Sequence, residues 1–354
     1  MTATKDPSSG LDDLDDLDRE VLNAVQWDFP LEERPFAALA ARFGVSEPEI
    51  RDRLRRSKEA GVLRQLSAIY DTRALGYSSS LIASKIAPDR VDDAAAVISE
   101  HPGVSHNYKR NHEFNLWYTL AVPPGDSLDA HVEALHRASG SLATRTLPTL
   151  KLFKIAVRLD MTGKTAADAK TDVQPAPRHE RKSDAAPALG AREIATILVT
   201  QQDLPLVEEP FAMEGAPVGM SGSEVLDALR VFGERKLMRR FAAVMDHRSA
   251  GFKANAMGVW AIPEDRIDEL GPRMASYAAV SHCYRRPTYP DWPYSVFTMV
   301  HGRSARDCEE TIAAMSAETG VSDYTLLWSV KEYKKVRLRY FTPDWDDWRA
   351  RHLP

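Results

Sequence analysis

Val104-Ser-His-Asn-Tyr-Lys-Arg110 is the stretch that decides the fold, because the chain contains it twice. The second copy, Val280-Ser-His-Cys-Tyr-Arg-Arg286, keeps the same Val, Ser, His, Tyr and Arg at the same spacing. Side chains alternate between the two faces of a strand, so His106, Tyr108 and Arg110 are predicted to share one face. A histidine, a phenol and a guanidinium on one face predict a polar surface that carries protons, once in each half of the chain.

An α+β pattern surrounds the first copy over residues 66–160. Its predicted elements are a strand at Ser80–Ile86, a helix at Val91–Glu100, the Val104 strand, a strand at Asn115–Val122, a helix at Leu128–Ala138 and a closing strand at Thr149–Val157. The order βαββαβ predicts an antiparallel sheet with both helices on one face, which is the ferredoxin-like arrangement.

Three helical patterns precede this domain, over residues 11–65. The apolar spacing predicts one helix from Asp18, a second that ends at Gly44, and a third over Ser46–Gly61. Ser46 is the expected N-cap of the third helix, with Glu49 as its capping-box partner. Val62–Tyr70 follows with the alternation of a hairpin, so this part of the chain predicts a winged helix-turn-helix.

The whole plan then recurs. Matching residues lie 175 positions apart, as from Phe36 to Phe211, and the two histidine stretches lie 176 apart. The second helix-turn-helix is predicted to be degenerate, because Met213–Gly222 is rich in glycine and contains a proline. The fold class is therefore α+β, a tandem duplication of a winged helix-turn-helix plus a ferredoxin-like domain. The predicted domains are residues 11–65, 66–160, a polar linker at 161–188, 189–240 and 241–342.

Composition limits the classes of function. The chain has 354 residues, enough for several domains, and its 46 basic and 51 acidic residues give a formal charge of -5. That charge does not suit a protein whose main task is to bind polyphosphate. The only cysteines are Cys283 and Cys308, which indicates no disulfide framework and favours the cytoplasm. No signal-peptide pattern and no apolar run of about 18 residues is present, so no membrane contact is expected.

Binding to DNA is the first functional hypothesis. The third helix carries Arg51, Arg53, Arg55, Arg56 and Lys58, which suits contact with phosphates. Acidic residues lie directly upstream and within the same helix, and the equivalent helix of the second copy has little positive charge. A solvated helix face is therefore the better interpretation.

Basic residues in or beside the predicted strands indicate a different ligand. They are Arg64, Lys109, Arg110, Arg239, Arg240, Arg285 and Arg286. Arginine suits two-pronged recognition of carboxylates, and each well-desolvated pair contributes about 1.5–3 kcal/mol. Aromatic residues accompany them, among them Tyr108, Trp117, Tyr284 and Tyr294, although core packing is the alternative for each. We therefore predict a site between the two α+β halves for a large flat molecule rimmed with carboxylates.

The repeated histidines are candidates for chemistry. His106 and His282 are predicted to donate protons or to bind a metal; a structural role is the alternative, and their repetition beside Tyr and Arg favours function. His112 and Glu113 occur only in the first copy and mark an asymmetry between the halves. Histidines without such neighbours are expected to be structural or to face solvent: His101, His131, His247 and His301.

Three prolines stiffen the loop Pro287–Pro293 of the second copy. They are predicted to hold the connection between two strands open instead of allowing a tight turn. The loop is then either an ordinary rigid connection or a wall over the ligand.

Two kinds of family resemblance emerge from these residues. A helix-turn-helix followed by a ferredoxin-like domain resembles the Lrp/AsnC transcription regulators. Residues 104–117 and 280–294 resemble, more specifically, the two subunit types of siroheme decarboxylase, here fused in one chain as in the form that acts in heme d1 biosynthesis. The resemblance covers both halves apart from the tails and the linker.

The resemblance implies removal of carbon dioxide from the acetate side chains at positions 12 and 18 of siroheme, in heme d1 or alternative heme biosynthesis. It implies no added cofactor, because the iron belongs to the substrate, and no binding of DNA. It also implies that the two halves pair as a pseudo-dimer within one chain, with a homodimer as a further expectation. A transcription regulator and a tetrapyrrole sensor or carrier are the alternatives.

The resemblance also suggests roles for individual residues. His106 and His282 would divide the roles of proton donor and axial ligand of the substrate iron, and Tyr108 and Tyr284 would orient the reacting acetate. Substrate binding is expected from Arg64, Lys109, Arg110, His112, Trp117, Arg239, Arg240, Arg285, Arg286 and Tyr294.

Overall fold

The computed structural model describes residues 14–155, Lys170, 189–245 and 254–353. Its helices are α1 (Asp16–Trp27), α2 (Pro35–Phe43), α3 (Glu47–Glu59), α4 (Val91–Ser99), α5 (Leu128–Ser139), α6 (Ala191–Thr200), α7 (Pro210–Gly215), α8 (Gly222–Glu234), α9 (Ile267–Ser276), α10 (Ala305–Thr319) and α11 (Asp344–His352). Its strands are β1 (Leu63–Tyr70), β2 (Ser78–Lys85), β3 (Val104–Arg110), β4 (Leu116–Val122), β5 (Ala143–Leu147), β6 (Lys151–Ile155), β7 (Met238–Met245), β8 (Ala254–Trp260), β9 (Val280–Arg285), β10 (Val296–Gly302) and β11 (Tyr324–Lys335).

The described residues form two compact units. The first contains 14–77, 189–245 and 339–343, and the second contains 78–155, 170, 254–338 and 344–353. The predicted domain boundary after residue 65 falls inside β1. The predicted linker, apart from Lys170, lies outside the described residues, as does His247.

The first unit holds both helix-turn-helix regions. β1 is one continuous strand, so the predicted hairpin at Val62–Tyr70 is wrong. Its partner is the equivalent strand of the second copy, because β1 pairs antiparallel with β7, with Leu66 opposite Ala243. A strand with one apolar face needs a partner for its backbone groups, and here the duplication supplies that partner.

The N-cap and the glycine stop of the first copy are confirmed, whereas the predicted capping box is not, because the Glu49 carboxylate bonds to Arg53. Ser46 Oγ accepts the backbone N–H of Glu49 at the start of α3, and Gly44 ends α2 in the left-handed conformation. In the second copy α7 has six residues where α2 has nine, and a 3₁₀ turn follows it. The second helix-turn-helix is therefore degenerate in its second helix, as the glycines and proline of Met213–Gly222 predict, while α8 keeps 13 residues and a capping box of Ser221 and Glu224.

The second unit holds a nine-stranded antiparallel sheet in the order β5-β2-β4-β3-β11-β8-β10-β9-β6. The two halves exchange strands within it. β6 belongs to the first half but pairs with β9, and β11 pairs with β8 by its first part and with β3 by its second part. The predicted closing strand of the first half, Thr149–Val157, corresponds to β6, and its predicted pairing within that half is wrong. The strand that does close the first half is β5, which pairs with β2 and is not predicted from the sequence.

The exchanged strands are anchored by side chains. Phe153 on β6 enters the core of the second half together with Leu270 and Met274 of α9. Gly271 makes this approach possible, since a Cβ atom there would lie 2.4 Å from the Phe153 ring. The two halves of the second unit thus share their cores as well as their sheet.

A second apolar cluster combines residues of both halves: Ala83, Phe114, Trp117, Leu147, Met257, Val259, Trp292, Phe297 and Leu327. The C-terminal helix α11, which the sequence pattern does not predict, packs Trp345 and Trp348 against His101. His101 and His131 are fully buried and joined by a 2.9 Å hydrogen bond, so their predicted structural role is confirmed.

Candidate active site

β3 and β9 present their histidines on the face opposite the helices. The Asn107 amide donates to the Ala95 carbonyl of α4 at 3.1 Å, and the Cys283 thiol lies 3.7 Å from the Gly271 carbonyl of α9. These side chains alternate with those of the histidine face. His106 and His282 therefore lie on the face that each strand turns away from its helices, as the alternation predicts.

In the first half the predicted side chains form a row. The rings of His106 and Tyr108 have centroids 6.2 Å apart and are nearly parallel, and the Arg110 guanidinium lies 5.8 Å from the Tyr108 ring centre. Arg110 is 7% exposed and donates to the Leu327 carbonyl at 2.8 Å. Burial lowers the pKa of Arg110 to about 10, which still leaves it charged at neutral pH.

The second half repeats the row. The rings of His282 and Tyr284 lie 5.9 Å apart, and the Arg286 guanidinium lies 5.0 Å from the Tyr284 ring. Arg286 donates to the Leu147 carbonyl. Each arginine thus bonds to a strand of the other half, at equivalent positions, and so helps to hold the halves together.

Serine hydroxyls hold both imidazoles. Ser105 Oγ lies 3.0 Å from His106 Nδ1, and Ser281 Oγ lies 2.8 Å from His282 Nδ1. Burial, followed by the nearby His301, lowers the pKa of His282 to about 4. His282 is therefore a neutral imidazole at neutral pH, which is the form that binds a metal ion.

Three other predicted site residues lie around Trp292, a member of the second apolar cluster. Trp117 is buried and its Nε1–H donates to the Phe114 carbonyl at 2.6 Å. The His112 ring lies 5.3 Å from Trp292, and burial lowers its pKa. The Tyr294 ring lies 5.0 Å from the same tryptophan. The structure thus brings Trp117, His112 and Tyr294 together around Trp292, where they form part of the packing between the halves.

The proline-rich loop is a tight turn, so the predicted open connection is wrong. Tyr289 and Trp292 exchange backbone hydrogen bonds of 2.8 and 2.9 Å across Pro290 and Asp291. Proline at the first central position and aspartate after it are favourable residues for such a turn. The turn places Trp292 in the shared cluster, while Asp291 receives two hydrogen bonds of 2.9 and 2.6 Å from Arg145. The loop therefore anchors the second half to β5.

Two predicted binding residues lie on the other face of their strands. Arg285 forms an ion pair with Glu264, just before α9, and Lys109 lies near Asp92 at the start of α4. Both alternate with the histidines along β9 and β3. The structure therefore does not bring Lys109 and Arg285 together with His106 and His282, and their contact with a ligand on the histidine face is not supported.

The remaining predicted arginines belong to the first unit. Arg239 donates to Asp71 at 3.0 and 2.8 Å, and the Arg240 guanidinium lies 4.6 Å from the Trp27 ring. Arg64 is exposed on β1. Their contact with the substrate stays a prediction.

His301, which we predict to be structural or to face solvent, is part of the histidine face. Its Nε2 lies 2.7 Å from Ser281 Oγ. The repeat gives no signal for it, because the equivalent position on β4 is Ala121. The contact between His301 and Ser281 depends on how β10 lies beside β9, where the register shifts between Met299 and Val300.

No group of three or more potential metal ligands occurs among the described residues. In the same parts of the chain, no helix is both long and apolar enough to cross a membrane.

Comparison with known proteins identifies the domains. A family model of the AsnC-like ligand-binding domain matches residues 74–154 and 249–334. A model of the siroheme decarboxylase NirDL-like helix-turn-helix domain matches residues 18–64 and 193–239. Both domains are therefore present twice.

Similar proteins extend over nearly the whole chain. The siroheme decarboxylase of Hydrogenobacter thermophilus is 38% identical over 333 residues, which are 93% of this chain and 96% of that protein. A siroheme decarboxylase beta subunit of Methanosarcina barkeri is 42% identical over 147 residues, 42% of this chain and 97% of that subunit. The crystal structure of a siroheme decarboxylase NirDL with an iron-uroporphyrin III analogue has a TM-score of 0.75 at 33% identity, covering 95% of this chain and 98% of that one. The chain belongs to the siroheme decarboxylase family, in which its arrangement matches that of the NirDL proteins.

Proposed function

We propose that this chain is a siroheme decarboxylase that removes carbon dioxide from the acetate side chains at positions 12 and 18, giving 12,18-didecarboxysiroheme. Relatives named siroheme decarboxylase match both halves and most of the length of the chain. A decarboxylase that does not bind DNA also accounts for a DNA-binding architecture whose second helix-turn-helix is degenerate.

The observation that carries the proposal is the charge of Arg110. Its guanidinium is buried beside Tyr108 and bonds to a neutral carbonyl, and no carboxylate of the described residues forms an ion pair with it. A buried charge without an opposite charge is costly. A carboxylate of siroheme at this face would supply the missing negative charge and would accept the charged hydrogen bonds that arginine favours.

The chemistry requires a proton donor and no oxidant. When the acetate carbon–carbon bond breaks, carbon dioxide leaves and the electron pair stays on the methylene carbon next to the macrocycle. A proton then adds to that carbon and gives a methyl group. A positioned acid typically contributes about 10²–10⁴-fold to such a transfer. The reaction therefore needs no oxidant or reductant, since electrons and atoms balance with one proton for each acetate, and we propose that the chain uses no added cofactor.

The two histidines suit different roles. His282 is neutral because its pKa is about 4, so its ring can bind the iron of the substrate but is a poor proton donor. We assign it as the axial ligand. His106 is then the proton donor, and Tyr108 and Tyr284, each beside its histidine, orient the reacting acetates.

An anaerobic incubation with siroheme tests the proposal. We expect the mass of the tetrapyrrole to fall by two carbon dioxide units, with a transient loss of one unit if the acetates react in turn. Siroheme that binds and returns unchanged would identify a carrier or sensor. No binding at all would remove the proposal.

The regulator alternative is weaker because the arginines of α3 are engaged. Arg53 donates to Asp15 and Asp18 at 2.7–2.9 Å and to Glu49 at 3.0 Å. Arg55 pairs with Asp52 in the same helix. We therefore expect no duplex DNA binding at physiological salt, whereas a regulator would bind DNA with an affinity that falls steeply as salt rises. A cytoplasmic location, a homodimer and a role in heme d1 or alternative heme biosynthesis remain part of the proposal.

A further inference from the structure

The second half contains a chain of hydrogen bonds behind its active-site histidine. Ser281 Oγ lies 2.8 Å from His282 Nδ1, 2.7 Å from His301 Nε2 and 3.4 Å from the Met299 carbonyl oxygen. Ser281 is 4% exposed, so water does not readily replace either partner. The backbone N–H of His301 donates to the Ala279 carbonyl at 3.0 Å, which fixes the register of the two strands at this point.

The first half lacks the last member of this chain. The backbone N–H of Ala121 donates to the Gly103 carbonyl at 3.0 Å, as His301 does to Ala279. Ala121 therefore occupies the position of His301. Ser105 still bonds to His106 Nδ1 at 3.0 Å, but the side chain beyond it is a methyl group. The extended chain is specific to the half that holds His282.

A serine hydroxyl has one proton, so its donor direction determines what its partners can do. His301 Nε2 is nearer to this hydroxyl than the Met299 carbonyl oxygen, the other acceptor. When Ser281 donates to His301 Nε2, its oxygen accepts the N–H at His282 Nδ1. In a neutral imidazole with its proton on Nδ1, the lone pair is on Nε2.

We propose that His301 is a positioning residue: through Ser281 it holds His282 in the Nδ1–H tautomer, so that Nε2 is available to the iron of the substrate. This inference rests on the proposed function for the identity of the substrate. The hydrogen-bond chain itself belongs to the protein without substrate and can be measured there. His301 acts on the reaction only through His282 and does not contact the reacting atoms.

Nitrogen NMR of ¹⁵N-histidine-labelled protein without substrate tests the tautomer. The His282 signals are assigned by their loss in His282→Gln. We expect the wild-type ring to be in the Nδ1–H form at pH 7, and His301→Ala, which gives the second half the residue of the first, to produce a mixture of tautomers. His301→Gln keeps an acceptor for the Ser281 hydroxyl and should restore the single form.

Ser105→Ala is the matched control, because it breaks the equivalent bond in the first half and should leave the His282 signals unchanged. An unchanged His282 tautomer in His301→Ala, or a wild-type proton on Nε2, would overturn the proposal. Circular dichroism of each variant separates this result from misfolding.

Turnover gives the second readout. Groups that orient a metal-binding histidine typically contribute about 10–100-fold to metal affinity or activity. We expect siroheme turnover to fall by about tenfold in His301→Ala and to recover in His301→Gln. Absence of any decarboxylation by the wild type would contradict the proposed function, while the NMR result would still decide the role of His301.

Discussion

The two histidine-bearing faces of the second unit share a framework and differ in what surrounds the rings. Both keep the Ser-His pair, the neighbouring tyrosine and an arginine that bonds to the opposite half. The cross-strand partner of His106 is Thr119, whereas that of His282 is Met299, and Ala121 in the first half corresponds to His301 in the second. Duplication has therefore preserved the groups that join the halves and changed those that set the behaviour of each histidine.

The largest effect should come from removing the histidines, which tests whether the two faces have separate roles. We expect His106→Ala and His282→Ala each to lower siroheme decarboxylation by about 10²–10⁴-fold. His106→Ala should still bind siroheme with the axial-ligand absorbance of the wild type, and His282→Ala should lose that absorbance. Full activity in both variants would contradict the assignment.

Trp292 tests the loop that only the second half possesses. Its side chain is fully buried and contacts His112, Phe114 and Trp117 of the first half. We expect Trp292→Ala to lower the free energy of unfolding in urea by about 3–5 kcal/mol, because it leaves a cavity between the halves.

Asp291→Ala is the control for this variant. It removes the partly exposed ion pair to Arg145 and the preference of aspartate for this turn, but leaves the buried ring in place, and should cost about 1 kcal/mol. Equal losses in the two variants would show that the turn, not the buried ring, joins the halves.

Glu214 tests the divergence of the helix-turn-helix regions, because it occupies the core position of Leu39 in the first copy. It is 8% exposed, neither carboxylate oxygen has a hydrogen-bond partner within the described parts of the chain, and burial raises its pKa to about 8. A raised carboxyl pKa means that the folded state keeps its proton up to a higher pH than the unfolded state does. Wild-type stability should therefore fall as pH rises from about 4.5 to 8.

The substitution Glu214→Leu restores the residue of the first copy. We expect it to raise the free energy of unfolding by about 2–3 kcal/mol at pH 7. At pH 5 we expect a gain of about 1 kcal/mol, because the wild-type carboxyl is protonated in the folded state and partly protonated in the unfolded state, so little free energy is lost by keeping it neutral. Urea unfolding at the two pH values measures the difference. A gain that is the same at both would show that the carboxyl charge is not responsible.

The smallest effect is expected for the two arginines that join the halves, Arg110 and Arg286. Arg110→Met should weaken siroheme binding by about 10–100-fold, which corresponds to one charged hydrogen bond. Arg286→Met should weaken it less, because Arg286 is only half-buried and its charge is better solvated. Siroheme titration followed by absorbance measures both. Equal losses would show that the depth of burial does not determine the contribution of each arginine.

The sequence predicts well what depends on local pattern. Alternation along Val104–Arg110 places His106 and Tyr108 on one face, and the helix caps at Gly44 and Ser46 follow from local chemistry. The partner of β6 cannot be predicted from local pattern, because the βαββαβ order allows β6 to pair with a strand of the first half as readily as with β9 of the second half.

Two misses have more specific causes. The three prolines of the loop indicate stiffness, but Pro290 and Asp291 also favour a tight turn, and that local preference decides the geometry. The role of His301 depends on which residue of β9 lies beside it, and a constant repeat offset cannot reveal a position that has diverged.

The exchange of β11 has a consequence for synthesis on the ribosome. Arg110 on β3 lies opposite Ser329, which is made about 220 residues later. At ~5–20 residues per second, the nascent chain carries β3 without this neighbour for about 10–40 s. During that interval its edge can pair with strands of other chains, so chaperones that cover this edge should raise the yield of active protein.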